Sequence, residues 1–437
     1  MKIKYLYLFY IIAILLVIIQ GFSHTYTDEG VYISVGHFID NGMKPYIDFI
    51  EHHNLFYYMF YIPIFKLFDF PLSLIVIRII SIIFVFISAY LIREIVKKYR
   101  LGNPDYATLF FLFGYTGLPI NFLRNEFFAM FVILLYFYFD SYFLKGLFIA
   151  LFGSTSVIFI FPSIFIFIYD IIKNKKNKKN LISYFFGSSI IILLFLIFAL
   201  FIGINNLFWH LFTLNKEIAY QFNIVFREVI FFSLFLAIPY FVVATSWIIK
   251  NYKKDLSKKV ILITIGFFTA ILISSIMTQG IQKMKLPSYM PLLAIYSIFG
   301  GTIRKKSLNL LIFIYLFLIT IFVFTPTTYG IIYLKNMYLF DSCVSKEAKI
   351  GYNIESKPLY LVRTPDSYEW FLERHMKSLE KNNSIVFCGI AIKEKDIICN
   401  NDKLSQINKF CEKNQKTNFI YELKNFLKKR GINLSLV

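Results

Sequence analysis

Charge is what this chain has least of. Only 16% of its 437 residues are Asp, Glu, Lys or Arg, 58% are hydrophobic, and mean hydropathy is +0.63. A soluble globular domain carries about a quarter charged residues, so that class is excluded. Repeated apolar runs near the ~20 residues needed to cross a bilayer imply a polytopic membrane protein instead. Acids are scarcer than bases, 26 against 46, and the interiors of the apolar runs hold almost none. The net charge of +20 does not point to nucleic acid. The Lys and Arg fall in short clusters between apolar runs, which is the positive-inside pattern of a membrane protein.

Other absences narrow the class further. No small-x-small cleavage motif follows the apolar run 5–22, where the chain reads Gly21-Phe22-Ser23-His24. That argues against a cleaved signal peptide and for an uncleaved first span. No internal repeat is visible, which removes one mark of a secondary transporter. Cysteine is absent until Cys343, and Cys388, Cys399 and Cys411 follow it. All four fall in a segment expected outside, where disulfides can form and the pairing stays open.

The basic clusters set a topology. They are Lys2 and Lys4, Arg93–Arg100, Lys145, Lys173–Lys179, Lys250–Lys259 and Arg304–Lys306. With each cluster cytoplasmic, the spans between them come in even numbers. Residues 107–122 pair with 127–143 across an outer turn at Arg124-Asn125-Glu126, 182–203 with 229–249, and 260–277 with 286–301. Residues 308–326 then exit. Residues 146–172 are too short for two full crossings and predict two short helices broken around Gly153-Ser154-Thr155-Ser156. Residues 55–68, with Pro63 inside them, suit an interfacial or re-entrant helix. The aromatic stretches 55–61 and 134–143 read as lipid-facing belts. The expected fold is therefore an all-α transmembrane domain of about eleven spans over residues 1–329, with a large first outer loop at 23–71. Residues 330–437, where short β-like runs alternate with helical stretches, predict a small extracytoplasmic α/β domain.

The first outer loop concentrates titratable groups: Asp28-Glu29-Gly30-Val31-Tyr32, Gly36, Gly42, Pro45-Tyr46, and Glu51-His52-His53. An Asp-Glu pair soon after span one, then a helix and an acidic residue before an interfacial helix, resembles the GT-C polyprenyl-phosphate-sugar glycosyltransferases. The similar members are the protein O-mannosyltransferases and lipid A aminoarabinose transferases. Arg78 at the outer end of span two, Glu126 opening the helix after the second outer loop, NNLFWHLFTLN at 205–215 and QKMKLPSYMPLLA at 282–294 agree in order. The chain departs from the family at His52-His53-Asn54, where Lys-Pro-Pro is usual, and at Ser154-Thr155-Ser156, where a Lys is usual.

The resemblance implies a membrane enzyme moving a sugar from a polyprenyl-phosphate donor to a protein, lipid or glycan acceptor at the outer surface, with inversion. An interfacial carboxylate can take the acceptor hydroxyl's proton, and partial desolvation tunes it for that work. Asp28 is the candidate, although it also suits an N-cap of the helix expected near Gly30. Glu29 reads as its support and Glu126 as a second functional acid, since acids at span ends are costly to keep. Lys283 and Lys285, with Arg78 and Arg124, are outward cations in a chain that keeps most bases inside, and are the candidates for the donor phosphate. Glu51, His52 and His210 form a candidate N/O set for a divalent metal (zinc, magnesium or manganese). The competing class is a transporter or flippase of lipid-linked saccharide.

Overall fold

A computed structural model describes residues 3–21, 46, 62–68, 72–116, 125–208, 211, 238–277 and 289–322. Among them the regular structure is helical: α1 (Ile3–Gly21), α2 (Ile62–Leu67), α3 (Leu72–Tyr99), α4 (Pro104–Thr116), α5 (Asn125–Tyr138), α6 (Tyr142–Thr155), α7 (Ile160–Asn174), α8 (Lys178–Ile202), α9 (Ile204–Phe208), α10 (Ile238–Lys250), α11 (Asp255–Met277), α12 (Met290–Ser297) and α13 (Lys305–Phe322). Four segments are long and apolar enough to cross a membrane: Ile75–Tyr99, Val157–Asn174, Lys178–Ile202 and Asp255–Ile273. The chain is a helical membrane protein. Residues 330–437 lie outside the described residues, as do most of the first loop and the stretch 55–61; α2 falls in the described stretch 62–68.

Burial sorts the helices into an inner and an outer set. A helix that is apolar all round is stable in water-free surroundings whether protein or lipid covers it, so packing decides which. In α4 every residue from Ala107 to Thr116 is buried, and in α12 all eight residues are. Helix α5 is nearly as enclosed, with Leu134, Tyr136 and Phe137 inside. The lipid-facing reading of 134–143 is thereby corrected over α5: its aromatics pack on neighbouring helices, Phe84 of α3 stacking edge-on to Phe131 at 4.8 Å. Helix α8 is the opposite case, with Ile182, Phe186, Leu193, Leu200 and Phe201 turned outward. Such a continuous apolar face is stable against acyl chains and costly against water.

The expected break in 146–172 falls at one residue. Helix α6 runs through Gly153 and Ser154 and stops at Thr155, because Ser156 is extended at φ −157°, ψ 152°. The hydroxyls of Ser154 and Thr155 donate to the carbonyls of Leu151 and Phe152, at 2.8 and 2.7 Å, and so occupy the acceptors of the last turn. A single 3-10 turn, Val157–Phe159, leads into α7. Pro162 falls in the first turn of α7, where a missing N–H leaves no bond unmade. Stacking of Phe152 on Phe159, centroids 4.9 Å apart, holds the two sides of the break together.

Helices α6 and α8 approach closely through glycine. A Cβ on Gly146 would lie 2.0 Å from the Tyr184 carbonyl oxygen, and one on Gly187 would lie 2.0 Å from that of Phe143. Each helix thus seats its backbone against the other's glycine, as small residues allow between spans. The obstructing atoms are backbone, so the neighbour has no rotamer to change. Gly146→Ala and Gly187→Ala should each destabilise the detergent-solubilised protein by about 1–3 kcal/mol, the usual range for overpacking. Thermal unfolding of the two variants checks this, and an unchanged transition in both would refute the contact.

Candidate functional site

The helix directions define two ends. Helices α3 and α5 run parallel: Lys98 near the end of α3 donates to the Tyr138 carbonyl at the end of α5, at 2.8 Å. Running the same way, α3 carries Arg78 and α5 carries Asn125 and Glu126 in the halves that point away from that end, with Phe84 in the middle of α3 beside Phe127 and Phe131 of α5.

Arg78 and Glu126 are both buried, 2% and 5% exposed. Arg78 Nη1 donates to the Gly21 carbonyl at 3.1 Å. Gly21 is the last residue of α1, and its carbonyl is one of those a helix leaves without an internal acceptor role. A guanidinium there meets both that oxygen and the negative pole of the helix. Arg78 consequently anchors the point from which the segment bearing Asp28 and Glu29 departs, seven residues before Asp28.

Glu126, expected to open a helix, does so: it stands with Asn125 in the first turn of α5, where the positive pole of the helix favours an acid. Asn125 is 3% exposed, and its amide nitrogen donates to the Thr155 carbonyl at 3.2 Å. That carbonyl belongs to the final residue of α6, so the bond ties the start of α5 to the break after Thr155. The amide oxygen Oδ1 of Asn125 is buried without a hydrogen-bond partner, and so is Ser163 Oγ on α7. Ser163 packs against the same last turn of α6, where a Cβ on Gly153 would come within 2.9 Å of its Oγ. An unsatisfied buried polar atom costs about 1–3 kcal/mol, so two beside one turn call for an explanation.

Of the other predicted site residues, Asp28, Glu29, Arg124, Lys283, Lys285, Glu51, His52 and His210 lie outside the described residues. The described residues hold no group of three His, Cys, Asp or Glu placed to share a metal ion. Arg78 and Glu126 are the two predicted site residues that the structure describes, and both are buried in the halves of α3 and α5 that point away from the basic end.

The basic end contains a network that reading the sequence missed. Lys259 Nζ on α11 lies 2.8 Å from Asp170 Oδ1 on α7, with both side chains under a tenth exposed. Tyr136 on α5 closes a triangle: its hydroxyl donates to Asp170 Oδ2 at 2.7 Å and accepts from Lys259 Nζ at 2.5 Å. Asp255 at the start of α11 accepts from Tyr169 at 2.8 Å and pairs with Lys173 at 2.7 Å. Nearby, a hydrogen bond from Lys98 holds the Asp140 carboxyl below the usual carboxylate range. The legible signal for the triangle was an acid placed about one turn before the end of an apolar run, in FIFIYDIIK. With every polar atom of the triangle engaged, its work is to join α5, α7 and α11.

Comparison of the chain with protein-family models, with curated proteins and with solved structures finds no match in any of the three. The chemistry therefore has to be argued from the residues themselves.

A buried ion pair is costly to break and cheap to replace whole. Asp170→Asn or Lys259→Met alone should lower stability by about 3–5 kcal/mol, because each leaves an uncompensated charge. The double variant should recover most of that loss. A double-mutant cycle on the unfolding transition measures the coupling, and additive effects would contradict the triangle.

Proposed function

We propose that this chain is a membrane glycosyltransferase that moves a sugar from a polyprenyl-phosphate donor to an acceptor at the extracytoplasmic surface. In this reading the basic end is cytoplasmic, the transmembrane domain over 1–329 has about eleven spans, and residues 330–437 form a small extracytoplasmic domain. The resemblance to GT-C transferases over residues 1–300 motivates it. The observation that supports it best is the burial of two opposite ionisable groups, Arg78 and Glu126, in the halves of α3 and α5 that point away from the basic end. Ionisable groups inside a membrane bundle are expensive and stay where a site or a partner needs them.

The reaction is one displacement. The acceptor hydroxyl gives its proton to the Asp28 carboxylate as its oxygen bonds to the anomeric carbon. The bond from that carbon to the phosphate oxygen breaks on the opposite face, which inverts the configuration. The polyprenyl phosphate leaves with the electron pair, and Lys283 and Lys285, with Arg124, would hold the anion. Arg78 acts by fixing the end of α1, and Glu29 and Glu126 shape the field around the reacting groups. The candidate metal set Glu51, His52 and His210 takes no part in this step; it would pin the first loop to the loop carrying His210.

The transporter reading needs coupling charges near the middle of the membrane. The buried ion pair Asp170–Lys259 stands instead beside the end of α7 and the start of α11.

Two measurements test the proposal. Asp28→Asn should lower glycan transfer by about 10²–10⁴-fold, the range for a lost general base, while expression and insertion persist. Surface glycans compared by mass spectrometry in cells with the wild-type or variant chain give the readout, and transfer that persists removes Asp28 from the mechanism. For topology, Lys97→Cys in a background with the four native cysteines replaced by serine should react with a membrane-impermeant maleimide only after cells are permeabilised. Labelling of intact cells would reverse the orientation and with it the whole assignment.

A further inference from the structure

The two unsatisfied atoms beside the last turn of α6 ask for a ligand, and Asn125 states which kind. The Thr155 carbonyl can only accept a hydrogen bond, so the atom of the Asn125 amide facing it is the nitrogen. That bond fixes the side chain. The oxygen Oδ1 is left buried with both lone pairs unused, next in sequence to the buried carboxylate of Glu126. Ser163 Oγ, also without a partner, flanks the same turn.

The chemistry of this set is one-sided. An amide oxygen accepts and does not donate, and a hydroxyl does either. A phosphate offers only acceptor oxygens at neutral pH and would be repelled by the same groups. A polyhydroxylated ring presents several O–H donors and complements them. We propose that Asn125 Oδ1 accepts a hydrogen bond from a hydroxyl of the donor's sugar, so that Asn125 reads the sugar while the cations assigned to the phosphate hold the anion. This rests on the transferase reading and deepens it by giving the sugar a contact.

The test uses the full-length chain purified in detergent, with farnesyl phosphate as one probe. The other probes are farnesyl phosphate carrying glucose, mannose, galactose or N-acetylglucosamine. Binding is followed by thermal shift across a concentration series. The wild type should bind at least one glycosylated carrier about tenfold tighter than farnesyl phosphate, the worth of one good hydrogen bond. Asn125→Ala should bring that ratio to within about threefold of unity and leave the affinity for bare farnesyl phosphate unchanged. Asn125→Leu, which fills the volume without an acceptor, should behave the same way and melt no lower than the alanine variant. Retention of sugar preference in both variants overturns the proposal, and Asn125 is then a tie to α6 alone. Loss of bare-carrier affinity in both variants overturns it too, since that marks a structural role. A wild type that binds the bare and glycosylated carriers equally overturns the sugar contact while carrier binding stands. A wild type that binds neither overturns the transferase reading itself.

Discussion

A chain enclosed by lipid has no water to satisfy its polar groups, and that constraint shapes everything described above. Backbone groups are met inside helices, and charges are kept at helix ends or matched by another charge. Lys259 meets both conditions at once: it stands near the start of α11 and is closed off by Asp170 and Tyr136. Arg78 meets them differently, by donating to the carbonyl at which α1 ends. In each case a polar side chain links helices that sequence separates by 57 residues or more.

The bundle treats its polar groups in two ways. At the basic end the polar atoms of the triangle are mutually satisfied, and α5, α7 and α11 are tied together there. The adjoining stretch of α6 and α8 is locked by reciprocal glycine contacts. Away from that end polar groups are buried but not all are paired, with Asn125 Oδ1 and Ser163 Oγ left over beside the broken helix. The broken helix itself is tolerated only because protein surrounds it, Thr155 being fully enclosed.

Much of the helical layout was legible in the residues because spans have a minimum length and charges mark their ends. The runs read at 182–203 and 260–277 correspond to α8 and α11, each beginning a few residues earlier in its basic cluster. The interruption near Gly153–Ser156 was legible because hydroxyl side chains compete for helix carbonyls. The burial of α5 was not, since Tyr, Phe and Leu are equally at home against lipid and against other helices. Nor was the tie from Asn125 to the Thr155 carbonyl, thirty residues away.

Composition and periodicity alone determined that this is a helical membrane protein. They do so because the cost of placing charge in hydrocarbon is local and needs no knowledge of neighbours. Only the tertiary structure decided which helices are central, which charges are partnered and which acceptors are left open. Those outcomes depend on pairs of residues far apart in the chain, and no single segment carries the information.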